Sequence, residues 1–208
     1  GIGDRISSTG FHGYDCLYYH NTQHALDIMG RLDKICNNYG VDVFPPHRRL
    51  LLALFALFHD LRQQEPGQAS SGVGANERAS VSEALSILNF SLKEAGFDPV
   101  VNKRVFHYYT ENMRLMIYGT TFNFVSSSTE MPNLFTDVPA EYTVPVGALA
   151  PMVVDQLKSV KPHWESSTEL LETIENIYLG SDVDTANVSD CFYEFAIQGV
   201  NLCRELEK

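Results

Sequence analysis

The stretch PPHRRLLLALFALFHDL, residues 45–61, decides how the rest of the chain is read. Pro45 and Pro46 suit the opening of a helix, because a missing amide costs nothing in the first turn. Every residue from Leu50 to Phe58 is apolar. That run is too short to span a bilayer and too uniform for a surface helix, so a central helix to about Leu61, apolar all round, is expected. It closes on His59 and Asp60, two ionisable groups where burial is costly. Such groups need a partner, and a metal ion is the one expected. A helix C-terminus also favours a nearby cation, by a few tenths to about 1 kcal/mol at exposed sites.

Helical periodicity extends on both sides. Residues 20–38 place Ala25, Ile28, Met29, Leu32, Ile35 and Cys36 on one stripe that ends near Gly40. After a loop of small residues, 65–74, a helix over 76–95 carries Val81, Ala84, Leu85, Leu88 and Leu92. Asp98-Pro99 should cap and open the next, to about Tyr118. From 119 to 147, serines and prolines interrupt scattered Phe and Tyr, and a long irregular insertion is expected. Periodicity returns at 148–160. Ser166 and Glu169 have capping-box spacing ahead of a helix expected to stop at Gly180, and a closing helix includes Phe192, Phe195 and Leu202. The expected class is all-α, a helical bundle of one domain over residues 1–208.

The composition narrows the partners. A formal net charge of -11 argues against a nucleic-acid polymer or an anionic membrane as the main partner. Arg48-Arg49 and Lys103-Arg104 are read as solvated helix surface, with a small phosphate as the functional option. Cys16, Cys36, Cys191 and Cys203 form no CxxC pair, and no charged and apolar leader is visible, so a soluble cytoplasmic protein is expected. No P-loop, dinucleotide fingerprint or GxSxG elbow occurs.

The remaining chemistry lies in histidines. His20 and His24 stand four residues apart, which on a helix raises both side chains from one face. His12, His47 and His163 lack partners at telling spacing, and His107 groups on a helical wheel with Lys103, Glu111 and Arg114, a solvated side.

Together, Tyr19-His20-Asn21-Thr22-Gln23-His24 and His59-Asp60 resemble the HD-domain metal-dependent phosphohydrolases, and the first segment is similar to the Tyr-His-Asn-x-x-His of their cyclic nucleotide phosphodiesterase branch. The resemblance implies an HD-domain-like bundle whose metal ligands are His24, His59, Asp60 and a late Asp. Asp182 is preferred for the last over Asp184, because the family shows a small residue before this ligand and an apolar one after it. It further implies His20 as general acid, Asp60 as acceptor of the water proton, and Glu77 as holder of a water by hydrogen bond. Asn76 stands where some relatives have a further His, and Asp60 could bridge to a second ion.

The implied cofactor is a divalent ion: Mn, Fe, Zn, Co or Mg. The implied function is hydrolysis of a phosphate ester, a nucleotide in the first instance, by metal-activated water. A 3′,5′-cyclic nucleotide phosphodiesterase, a catalytically silent metal or ligand-binding regulatory module, and an HD-type oxygenase stay open. Gln198 is a weak counterpart of that branch's base-clamping Gln.

Overall fold

The computed structural model describes residues 20–62, 75–121, 167–186, 196–197 and 199–201. The small-residue loop, the insertion beyond residue 121, the helix at 148–160, Ser166 of the capping pair and most of the closing helix lie outside these residues. Five long helices make up the described fold: α1 (Thr22–Tyr39), α2 (Pro46–Phe58), α3 (Ala75–Glu94), α4 (Lys103–Gly119) and α5 (Ser167–Thr185). There is no strand among the described residues, as an all-α class requires. No described helix is long and apolar enough to cross a membrane.

The apolar run at 50–58 forms the centre. α2 starts with Pro46 in its first turn, where no amide is missed, and packs against all four other long helices. Leu51, Leu52, Phe55, Ala56 and Phe58 are buried, while Leu50 faces outward. α1 turns His24, Ile28, Leu32 and Cys36 toward it at intervals of one turn. Its start is fixed by Asn21, whose Oδ1 accepts from the amides of Gln23 and His24. Gly40, at φ +79°, ends it with an amide bond to the Cys36 carbonyl.

α4 begins four residues later than Asp98-Pro99 suggests. The Asp98 carboxylate accepts from the amides of Val100 and Val101, and the Asn102 amide bonds to the Asp98 carbonyl. Asp98 therefore caps a separate turn that ends at Asn102. At its far end α4 lies very close to α5: a Cβ at Gly119 would sit 2.7 Å from Ile177 Cγ2.

The expected stop at Gly180 is also overturned. α5 runs through it to Thr185, and Gly180 is a buried contact with α2 and α4 rather than a cap. A helix interior tolerates glycine where a neighbour needs the space.

Arg48 and Arg49 are not solvated surface. Arg48 is buried, its guanidinium lying 4.8 Å above the Phe44 ring. It donates to Asn176 Oδ1 (2.8 Å), Glu175 Oε2 (3.0 Å) and the Val43 carbonyl (3.3 Å). The Asn176 amide in turn donates to Asn112 Oδ1 at 3.1 Å, and Asn112 to the Tyr108 carbonyl. This polar chain crosses α2, α5 and α4 within an otherwise apolar core, where each group must be satisfied. Arg49 is occupied too, donating to the Cys36 and Phe44 carbonyls and to Asn37. Neither arginine is arranged to hold a phosphate.

Arg48→Ala should destabilise the fold by about 2–4 kcal/mol, because the fully buried Asn176 Oδ1 loses its charged donor. Urea unfolding followed by circular dichroism measures it.

Candidate metal centre

Three helix ends deliver the site. His24 comes from the first turn of α1, His59 and Asp60 from the end of α2, and Asp184 from the last turn of α5. One ligand atom from each residue can be chosen so that all lie within 4.8 Å of one another. His24 Nε2 stands 3.0 Å from Asp184 Oδ1 and 3.6 Å from Asp60 Oδ2. His59 Nε2 stands 3.0 Å from Asp60 Oδ2 and 3.5 Å from Asp184 Oδ1. An ion with bonds of about 2.1 Å separates adjacent ligands by roughly 3.0 Å in octahedral and 3.4 Å in tetrahedral geometry. The observed spacings therefore suit a single small divalent cation, and the mixed imidazole and carboxylate donors suit Mn, Fe, Co or Zn.

The late carboxylate is Asp184, and the preference for Asp182 is corrected. On a helix continued past Gly180, Asp184 falls about 20° from the buried Ile177 and Asp182 about 140° from it. Asp182 is accordingly exposed. The signal for Asp184 was available in the sequence, in the inward spacing Thr173, Ile177, Gly180, Asp184. It was passed over because the flanking residues Ser181 and Val183 favoured Asp182, while Gly180 was read as a helix stop.

Each ligand-bearing end is held from outside. Asn21 fixes the backbone of His24. After Asp60, the chain is gripped by the fully buried Ser80 of α3, whose Oγ accepts from the Arg62 amide at 3.0 Å and donates to the Arg62 carbonyl at 3.3 Å. Arg31 of α1 donates to the Val183 carbonyl, one of the unpaired carbonyls in the last turn of α5. Sequence reading missed these three. An N-cap Asn ahead of a helical stripe was a visible signal, but long-range bonds from Ser80 and Arg31 leave none.

The electrostatics centre on His59. Its Nδ1 lies 3.2 Å from the Ala56 carbonyl, which fixes the proton there and turns Nε2 into the cluster. Among the described residues that buried Nε2 has no well-aligned hydrogen bond, although two carboxylates crowd it. Burial alone would disfavour an imidazolium, yet Asp60 and Asp184 outweigh it and hold the His59 pKa well above the ordinary imidazole range. Burial likewise opposes ionisation of Asp184 and Asp60, and the imidazoles outweigh it, holding both below the usual carboxylate range.

His20 and Glu77 stand outside the cluster of four. His20 precedes the Asn21 cap rather than lying on α1. Its ring is edge-on to His24 at 6.1 Å, and it acts electrostatically on Asp60. Glu77, in the first turn of α3, has its carboxyl pushed up by burial, with Asp60 adding to the effect. His107, expected in solvent, is half-buried, and His47 is exposed with its ring against Tyr108.

In comparison with known proteins, the chain matches no family model, no curated protein and no solved structure.

Asp184→Asn is expected to abolish metal retention through desalting, whereas Asp182→Asn leaves it intact, as elemental analysis will measure. The pH dependence follows from the two directions of shift. His59, raised, stabilises the metal-free fold fully below about pH 6.5 and loses that contribution as pH rises through its elevated value. Asp184, lowered, stabilises fully above about pH 3.9 and loses the contribution as pH falls through its depressed value. The thermal midpoint in chelator should therefore peak between about pH 4 and 6.5, and added divalent ion should stabilise more as pH rises, because it replaces a proton.

Proposed function

We propose that the chain is a metal-dependent phosphohydrolase acting on the phosphate ester of a small molecule, with nucleotides as the substrate class that the sequence resemblance suggests. The observation that carries this reading is the cluster itself: His59 Nε2, buried and turned toward Asp60 and Asp184, with His24 Nε2 beside them within one small volume. His24, His59, Asp60 and Asp184 would hold the ion. When bound, it supplies positive charge for the phosphoryl oxygens and makes water a stronger nucleophile.

The chain's own groups divide the proton transfers. Asp60, at the mouth of the cluster with 17% of its side chain exposed, accepts the proton of the attacking water. His20, half-buried beside His24, protonates the departing oxygen. Glu77, whose carboxyl is pushed up by burial, holds a water against Asp60 by hydrogen bond. The two carboxylates alone would repel an anionic ester, so the reading requires a cation before substrate.

The test is a panel of nucleotides and simple esters with Mn-loaded protein. Asp60→Ala should lose metal and turnover together. His20→Ala should keep its metal and slow alkyl ester hydrolysis by about 10²–10⁴-fold, the range of a positioned acid, with a smaller defect on p-nitrophenyl esters, whose phenolate leaves unaided. Equal impairment on both ester types would remove His20 from that role. Full metal occupancy without turnover of any ester would replace the enzyme by a silent binding module.

A further inference from the structure

The cluster is set one helical turn beyond an unusually close contact. Gly180 is buried in the interior of α5, and a Cβ on it would lie 3.0 Å from Phe55 Cζ, 3.2 Å from Phe55 Cε1 and 3.3 Å from Met116 Cε. The first distance is tighter than side chains ordinarily tolerate. Phe55 and Met116 are both fully buried, so the ring has no open space to enter. Phe55 precedes His59 by four residues on α2, and Gly180 precedes Asp184 by four on α5, so contact and ligand pair share the same two helix faces. The Phe55 ring also rests 5.3 Å from the His59 ring. At that level α2 and α5 are drawn together, and one turn on, His59 Nε2 and Asp184 Oδ1 face each other at 3.5 Å.

We propose that Gly180 is a positioning residue that sets the aperture of the metal centre: the side chain it lacks allows the Phe55 ring to lie against α5, and this holds His59 and Asp184 at the spacing of a small divalent cation. The inference rests on the metal-binding reading of the cluster and goes beyond it, since it assigns ion-size selectivity to a residue that touches no ligand atom. A methyl group at position 180 meets a rigid ring before it meets the flexible end of Met116. The helix then gives by a few tenths of an ångström, and the His59 to Asp184 spacing widens. Glycine is a poor helix former in this position, so alanine would favour α5 on local grounds. Propensity and aperture thus respond in opposite directions to one substitution.

The experiment uses the full chain, with zinc and cadmium as probes, ions of equal charge that differ in radius. Dissociation constants are measured by chelator competition, alongside thermal midpoints in excess chelator. Gly180→Ala should lose about 10–100-fold in zinc affinity, the range seen when support around a ligand is removed. The ratio of cadmium to zinc affinity should rise, because a widened spacing suits the larger ion. Phe55→Leu introduced into Gly180→Ala should recover most of the zinc affinity, because the obstructing ring is gone. Unchanged zinc affinity and ratio in Gly180→Ala would overturn the proposal while leaving the metal site standing. So would zinc loss that merely follows a lower midpoint in chelator with no change of ratio, or failure of Phe55→Leu to rescue. A wild-type chain that binds neither ion would overturn the metal reading, and this inference with it.

Discussion

A buried imidazole nitrogen facing two carboxylates demands positive charge, and much of the described structure answers to that demand. The Ala56 carbonyl holds the other ring nitrogen, so the lone pair of His59 Nε2 and the oxygens of Asp60 and Asp184 share one small volume. Three negative or electron-rich groups cannot remain together in a dry interior without a proton or a cation among them. A proton satisfies them in the metal-free chain. A divalent ion held by the cluster would satisfy them better, since it would also take up His24 and offset both carboxylates.

Holding such groups in place requires rigidity that no single helix supplies. The cluster is built from helix ends, the least constrained parts of helices, and each end is tied by a side chain: Asn21 caps α1 locally, while Ser80 of α3 grips the chain after α2 and Arg31 of α1 reaches the end of α5. Further from the cluster, Arg48, Asn176 and Asn112 cross-link α2, α5 and α4 in the apolar core. An apolar core alone allows helices to slide by small amounts at little cost. A chain of directional bonds between buried amides fixes their register.

The centre of the fold was legible because the 50–58 run is extreme, and the helical stripes of α1, α3 and α4 because their periodicity is sustained over several turns. His24, His59 and Asp60 were legible from their spacing and their place at the end of the apolar run. The fourth ligand was misread for a local reason. Glycine has two uses in helices, ending them and admitting a neighbour, and only packing distinguishes the two at Gly180. Asp182 was preferred for its flanking residues, small before and apolar after; with the helix continued through Gly180, Asp184 is the residue on the inward face. Arg48 misled similarly, since an arginine beside another near a helix start reads as surface until its partners, on α5, are known. Ser80 and Arg31 act on backbone atoms remote in sequence, and a single sequence carries no trace of such bonds.

Those long separations have a consequence for how the molecule comes into being. Arg48 finds Asn176 across 128 positions, and His24 finds Asp184 across 160. Contacts of that span carry the entropy of closing a long loop. During synthesis, His24, His59 and Asp60 emerge well before α5, and can offer an ion only an incomplete and loosely held set of donors. The last donor arrives on the same helix that completes the buried cross-link. The full set of four donors that could hold an ion therefore exists only once α5 has docked against α1 and α2.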